Sequence, residues 1–132
     1  MENSKLALSV IVATYNGEHR LPACLQSLVE QTLDNSCYEV IVVNNNSSDN
    51  SEDVVRSFVD SQDNFMLVNE EKQGVSYARN SGFESSSGKY IAFIDDDAKA
   101  TKDWCELLIQ AFETVDPQPA AVGGEIHPFY EQ

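Results

Sequence analysis

The chain has 132 residues, 42% of them hydrophobic, and it carries 22 acidic against 8 basic side chains, so its net charge is −14. This length and hydrophobic fraction predict one ordered globular domain with a real core. The negative charge disfavours nucleic acid and anionic membranes as general partners, because both would be repelled.

The cysteine, histidine and hydropathy patterns bear on the cellular compartment, on zinc binding and on contact with a membrane. Cys24, Cys37 and Cys105 are far apart and form no CxxC pair, which predicts reduced, mostly buried thiols in a cytoplasmic protein. His19 and His127 lack metal-ligand spacing, so zinc is not expected. No stretch reaches the roughly 20 apolar residues of a membrane helix. Peripheral contact with the inner face of a membrane would therefore need regions outside this chain, and a homodimer remains an open alternative.

The first half of the chain alternates strand and helix patterns. An apolar, β-branched run predicts a buried strand at residues 6–13, and a helix follows with Pro22 in its first turn. Residues 38–43 form the second predicted strand. Asp49 and Glu52 resemble a capping pair that begins the second helix.

The same alternation continues in the second half. Short strands are predicted at residues 65–68 and 89–94, with a helix over residues 76–85 between them. A last helix begins at Thr101 or Asp103 and carries Trp104 toward the core. Residues 120–126 can form a fifth strand.

This alternation predicts an α/β fold with a mainly parallel sheet between helices, a three-layer Rossmann-like arrangement. Ligands of such sheets bind beyond the carboxyl ends of the strands. Polar clusters fall at three of those ends: Thr14, Tyr15 and Asn16; Asn44, Asn45 and Asn46; and Asp95, Asp96 and Asp97. The chain is therefore expected to be built around a site at this edge.

The last of these clusters, named here the aspartate triplet, is the most informative. Alternate side chains of an extended segment share a side, which places the Cα atoms of Asp95 and Asp97 about 7 Å apart. Their mutual repulsion of several kcal/mol at an effective dielectric of about 20 calls for a compensating cation. Mg²⁺ and Mn²⁺ suit one or two carboxylates together with substrate phosphates. The alternative is an acidic turn that caps the next helix.

Four sequence blocks stand out along the chain: residues 9–16 (SVIVATYN), 42–49 (VVNNNSSD), 74–82 (GVSYARNSG) and 94–97 (IDDD). In this order and spacing they resemble the family-2 glycosyltransferases of the GT-A fold, and the likeness covers roughly residues 5–128. The resemblance implies a nucleotide-sugar donor, a divalent metal and a glycan, lipid-linked or protein acceptor.

The resemblance also implies roles for individual residues. Asp97, with Asp95 nearby, would hold Mn²⁺ or Mg²⁺ on the diphosphate, and Asp96 would face the ribose or diphosphate. The remaining donor-site residues implied are Ala13, Thr14, Tyr15, Asn16, Asn44, Asn45, Gly74, Arg79 and Asn80. Among them Tyr15 would lie against the nucleobase, and the turn at Asn44 and Asn45 would hydrogen-bond the base or ribose.

Several of these residues also have a purely structural interpretation, without any contact to a ligand. Tyr15 would then only pack at a strand end, and residues 44–46 would be only a turn, since Asn tolerates left-handed backbone. Gly74 would serve only turn geometry. Arg79 would be an ion-pair partner of the acidic loop.

Two departures from the family pattern affect the function. Many relatives carry an acid where Asn44 stands, so the nucleotide is open, with a uridine diphosphate sugar favoured. The resemblance places the acceptor-binding half and the general base of an inverting transferase beyond Gln132, and Glu125 is too near the predicted fifth strand to be assigned as that base. Residues 1–132 are therefore expected to be the donor-binding half of one catalytic domain, with weak or absent transfer alone.

Three other function classes share parts of this pattern. A non-catalytic module that only binds the nucleotide sugar would keep the same pocket. A receiver-type signalling domain is also acidic and doubly wound, but it needs a carboxylate pair after the first strand, where this chain has Thr14, Tyr15 and Asn16. A nucleotidyltransferase would need a Gly-rich basic loop at that same place.

Overall fold

The computed structural model describes residues 6–114 and 127–128. The elements in chain order are β1 (Leu8–Thr14), α1 (Leu21–Val29), β2 (Tyr38–Asn44), α2 (Ser51–Ser61), β3 (Phe65–Asn69), α3 (Val75–Glu84), β4 (Tyr90–Phe93), β5 (Ala98–Lys99), α4 (Trp104–Thr114) and β6 (His127–Pro128).

Four strands form a parallel sheet in the order β3-β2-β1-β4. Parallel neighbours need a crossover: α1 connects β1 to β2, α2 connects β2 to β3, and α3 carries the chain from β3 to β4 on the other side of β1. The register sets Thr14 beside Asn44, and Asn44 beside Asn69. The carboxyl ends of the three strands therefore lie level at one edge.

The sheet is covered on both faces. Leu8, Val10 and Val12 of β1 pack in a large core with α1, α2 and α4. On the opposite face, Ile11 and neighbouring side chains of β2 meet α3 at Ala78. Three layers result, which confirms the predicted α/β architecture.

The predicted elements are confirmed with end shifts of one or two residues, and Trp104 is buried as expected. The strand predicted at residues 120–126 lies outside the described residues. The strand β5 was not predicted, because two residues carry no readable pattern; it pairs antiparallel with β6. No helix in the described part of the chain is long and apolar enough to cross a bilayer.

The capping pair predicted for α2 is wrong. Asp49 lies two residues before the helix, where its carboxylate accepts hydrogen bonds from the backbone N and the Oγ of Ser51 at 2.9 and 2.6 Å. Such local side-chain turns compete with capping. Glu52 instead accepts from Arg56 one helical turn later, an i,i+4 pair.

Candidate functional site

A cavity of about 340 Å³ opens at the carboxyl edge of the sheet. Its lining comes from the ends of β1 and β2, the residue before α1, the start of α3 with the loop before it, and the loop after β4: Ala13, Thr14, Tyr15, Arg20, Asn45, Gln73, Gly74, Val75 and Asp96. Six of these nine residues were predicted from the sequence as site residues. A cavity of about 390 Å³ lies at the opposite edge, beside Tyr38 and Phe65, and none of the predicted site residues lines it.

Three hydrogen bonds hold the Asp96 side chain at the carboxyl end of β1. The Thr14 hydroxyl donates to its Oδ2 at 2.7 Å, while Arg20 donates from Nε to Oδ1 at 3.2 Å and from Nη2 to Oδ2 at 3.1 Å. The Asp96 side chain is only 13% exposed. The hydrogen bond that Arg20 donates to Asp96 raises the pKa of the guanidinium above its ordinary value, so Arg20 stays charged.

Asp95 is held much more loosely, by Arg79. Its Oδ1 lies 3.7 Å from Nη2 of Arg79, and the Asp95 side chain is 74% exposed. The Arg79 guanidinium also lies 5.7 Å from the ring centroid of Phe93, a cation–π distance. The predicted site residue Arg79 thus contacts the aspartate triplet, as expected for a structural ion-pair partner of the acidic loop. It does not line the cavity.

The triplet offers hard oxygen donors that fit Mg²⁺ or Mn²⁺. Asp97 is exposed, and the two arginine ion pairs engage Asp95 and Asp96. The part of the chain that the structure describes contains no cluster of three or more His, Cys, Asp or Glu side chains able to enclose a metal. The donor set therefore fits an ion that takes one or two ligands from the protein and the rest from substrate phosphate and water.

Asn45 shapes the cavity from within. Its Nδ2 donates to the carbonyls of Glu70 and Lys72 at 3.1 and 2.8 Å, and its Oδ1 accepts from the backbone N of Gly74 at 2.9 Å. Asn45 is almost completely buried. These bonds fix the loop that brings Gln73 and Gly74 to the cavity, and Gly74 has a φ of 143°, which favours glycine.

Besides Arg79, Asp95 and Asp97, three more predicted site residues lie outside the cavity lining. Asn44 donates to Oδ1 of Asn69 at 2.9 Å and borders a neighbouring cavity of about 300 Å³. Asn16 has a left-handed φ of 50°, and its Oδ1 accepts from the backbone N of Ser48 at 2.8 Å, which ties the loops after β1 and β2 together. Asn80 is exposed on α3.

The sequence reasoning missed Arg20, Gln73 and Val75, which also line the cavity. Arg20 lies 76 positions from its partner Asp96, so no local pattern reveals the pair. One signal was available: few basic residues occur in this acidic chain, and Arg20 directly precedes α1, near the end of β1.

The family described as Glycosyl transferase family 2 matches residues 9–130. Among curated relatives, Glycosyltransferase AglE of Haloferax volcanii is 40% identical over 100 residues, covering 75% of this chain and 33% of that protein. The chain spans about a third of the length of the curated relatives named EpsH and AglE that it matches.

Solved structures share the fold. Staphylococcus aureus TarS 1-349 in complex with UDP-GlcNAc has a TM-score of 0.70 at 29% identity, over 74% of this chain and 28% of that one. Mannosyltransferase PcManGT from Pyrobaculum calidifontis, in complex with GDP-Man and Mn²⁺, has a TM-score of 0.68 at 27% identity, over 74% and 29%. The parallel sheet, the polar edge and these likenesses agree: this chain belongs to the family-2 glycosyltransferases and has their GT-A-type fold.

Proposed function

We propose that the protein containing this chain transfers a sugar from a nucleoside diphosphate sugar to an acceptor hydroxyl. Residues 1–132 would form the donor-binding part of its catalytic domain. One observation carries the proposal: the cavity and the aspartate triplet lie side by side at the carboxyl edge of the parallel sheet, joined through Asp96. A base and sugar in the cavity would bring the diphosphate to the triplet.

Tyr15 and Gln73 would recognise the nucleobase. Tyr15 lines the cavity and is 45% exposed, which makes its ring available for stacking. The exposed Gln73 amide offers a donor and an acceptor to a base edge. We favour uracil, supported by TarS with UDP-GlcNAc, although PcManGT with GDP-Man shows that guanine is the natural competitor to test.

Asp97, with Asp95, would hold Mn²⁺ or Mg²⁺ against the diphosphate. When bound, the cation would neutralise the charge that develops on the departing nucleoside diphosphate. The complex of PcManGT with Mn²⁺ supports a divalent ion for this kind of site. Asp96, fixed by Thr14 and Arg20, would face the ribose or diphosphate as an acceptor.

The acceptor hydroxyl would attack the anomeric carbon in line with the leaving group, with inversion. A sugar hydroxyl is a poor nucleophile at neutral pH, so the attack needs a general base. That base, and the surface for a glycan, lipid-linked or protein acceptor, would lie in the part of the protein beyond Gln132. This chain alone is therefore expected to bind donor and to transfer weakly or not at all.

Calorimetric titration of the chain with UDP, with and without Mn²⁺, tests the donor site. We expect binding that Mn²⁺ strengthens, and we expect Asp97→Asn to remove the Mn²⁺-dependent part. Asp60→Asn makes the same chemical change at an exposed position of α2 and should bind as wild type.

Three outcomes would contradict parts of the proposal. If the folded chain bound none of UDP, GDP and TDP, the proposal that these residues form a donor site would be wrong. If UDP bound equally well with and without Mn²⁺, the proposed role of the metal would be wrong. Binding without turnover in the full-length protein, supplied with candidate acceptors, would identify a binding module instead of an enzyme.

A further inference from the structure

The three aspartates of the triplet are not equivalent: Thr14 and Arg20 hold Asp96, Arg79 pairs with Asp95, and Asp97 is exposed. We propose that Arg20 is a positioning residue that reserves Asp96 for the nucleotide sugar and keeps the divalent cation away from it. This inference rests on the proposed donor site. It assigns the metal to Asp97, with Asp95 as the exchangeable second ligand.

The hydrogen bonds around Asp96 carry the first step. Its Oδ2 accepts from Thr14 Oγ1 and Arg20 Nη2, and its Oδ1 accepts from Arg20 Nε. Each carboxylate oxygen has about two acceptor positions, so one position on Oδ1 remains. A single hydroxyl of a ligand fits there. A divalent cation does not, because the guanidinium already occupies the carboxylate and would repel it.

The second step concerns the backbone of the cavity. Nη2 of Arg20 also donates to the carbonyl of Tyr15 at 3.2 Å. One guanidinium thus fixes both the strand end that carries the exposed Tyr15 ring and the carboxylate of Asp96. Loss of the guanidinium should therefore disturb nucleotide binding even when no metal is present.

Gly17 shows how closely this cluster is packed. A Cβ at position 17 would lie 2.4 Å from Oγ1 of Thr14, 2.6 Å from Oδ2 of Asp96 and 3.2 Å from Nη2 of Arg20. Any side chain at this position would push the three groups apart. Gly17→Ala therefore provides a second, independent way to break the same cluster without removing a charge.

The proposal predicts effects of opposite sign when Arg20 is replaced. In Arg20→Gln, Asp96 loses its partner and becomes available to a cation, so Mn²⁺ should bind the free protein more tightly. UDP without metal should bind more weakly, by about five- to tenfold, since one or two charge-assisted hydrogen bonds no longer hold the site. A residue that is only structural would weaken both.

The experiment measures free Mn²⁺ by electron paramagnetic resonance and metal-free UDP binding by calorimetry, on matched variants. Arg56→Gln removes the same charge from the exposed pair with Glu52 on α2 and should change neither value. Arg20→Lys keeps the charge but not the planar fork, so it should exclude Mn²⁺ like wild type while binding UDP less tightly. Gly17→Ala keeps the Arg20 charge but displaces the groups that it holds, so it should follow Arg20→Lys in both measurements.

The outcomes separate this inference from the donor proposal. Mn²⁺ binding that is unchanged or weaker in Arg20→Gln would overturn the inference, as would unchanged UDP affinity in both Arg20→Gln and Gly17→Ala. Absence of UDP binding by the wild type would overturn the donor proposal itself. The Mn²⁺ titration would still decide whether Arg20 keeps the cation from Asp96.

Discussion

Asn45 is a single side chain on which the shape of the cavity depends. Its amide satisfies three backbone groups of the loop between β3 and α3. In Asn45→Ala these partly buried groups lose their partner, and we expect the free energy of unfolding to fall by about 1–3 kcal/mol. Metal-free UDP affinity should fall as well, because Gln73 and Gly74 are no longer fixed. Urea denaturation and calorimetry measure the two effects.

Asn50 provides the matched control for that variant. It is exposed, and as the residue preceding α2 it makes no side-chain capping bond, so Asn50→Ala should be nearly neutral in both measurements. Equal stability of Asn45→Ala and Asn50→Ala would show that water replaces the three hydrogen bonds without cost. The proposed loop role of Asn45 would then be wrong.

Glu70 gives the same loop a dependence on pH. Its carboxylate accepts from the Ser81 hydroxyl and from the backbone N of Lys72, and the Ser81 bond is the main cause that lowers its pKa below the ordinary value. A lowered folded-state pKa stabilises the fold above the unfolded-state pKa, and this contribution is lost as pH falls through the folded-state pKa.

Ser81→Ala should therefore raise the pKa of Glu70 toward its ordinary value, which carbon-detected carboxyl NMR titration measures. The stability difference between wild type and this variant should be largest near neutral pH and shrink below about pH 4.3, the ordinary glutamate range. Ser76→Ala, at an exposed position of the same helix, is the control. A Glu70 pKa that does not move would show that Ser81 does not hold the carboxylate in solution.

At the scale of elements, α3 lies on the sheet through small residues. A Cβ on Gly82 would come within 2.5 Å of Cγ2 of Ile11 and 3.2 Å of Cγ2 of Val43. Both partners are buried and β-branched, so their side chains are stiff. Gly82→Ala should destabilise the protein by about 1–3 kcal/mol through overpacking, less the roughly 1 kcal/mol that Ala gains over Gly in a helix.

Thermal and urea unfolding measure this change. Asn80→Ala, two residues earlier and exposed on the same helix, gains helix propensity without a new contact and should be neutral or slightly stabilising. If Gly82→Ala were as stable as Asn80→Ala, α3 could shift away from the sheet at little cost. The close approach between helix and sheet would then not position the residues at its N-terminal end.

At the scale of the whole molecule, the buried strands and the helices that alternate with them were predictable from the sequence, because β-branched runs and helical spacing are local signals. The common edge of Thr14, Asn44 and Asp95 was predictable as well, since parallel strands must place their carboxyl ends together. The pairing of Arg20 with Asp96 was not, because it joins residues 76 positions apart and depends on three-dimensional placement. The inward hydrogen bonds of Asn44 and Asn45 were unpredictable for the same reason.

The cysteines report on the integrity of the whole fold. Cys24 of α1 and Cys105 of α4 are fully buried in the large core, and burial raises the pKa of each thiol to about 12. At pH 8 a thiol with such a pKa is thiolate in a fraction on the order of 10⁻⁴, and the thiolate is the reactive form. Cys37 lies in the loop before β2 and is partly exposed.

We expect iodoacetamide at pH 8 to modify Cys37 in the folded protein while Cys24 and Cys105 react only through unfolding. Their two rates should then be equal to each other and rise together with urea, with the slope of the global transition, because both sit in one core that opens as a unit. Mass spectrometry of quenched samples measures each site, and Cys37→Ser checks that the exposed thiol does not perturb the others. A Cys105 that reacts faster than Cys24 would show that α4 detaches while α1 and the sheet remain folded, and the three layers would not form one cooperative unit.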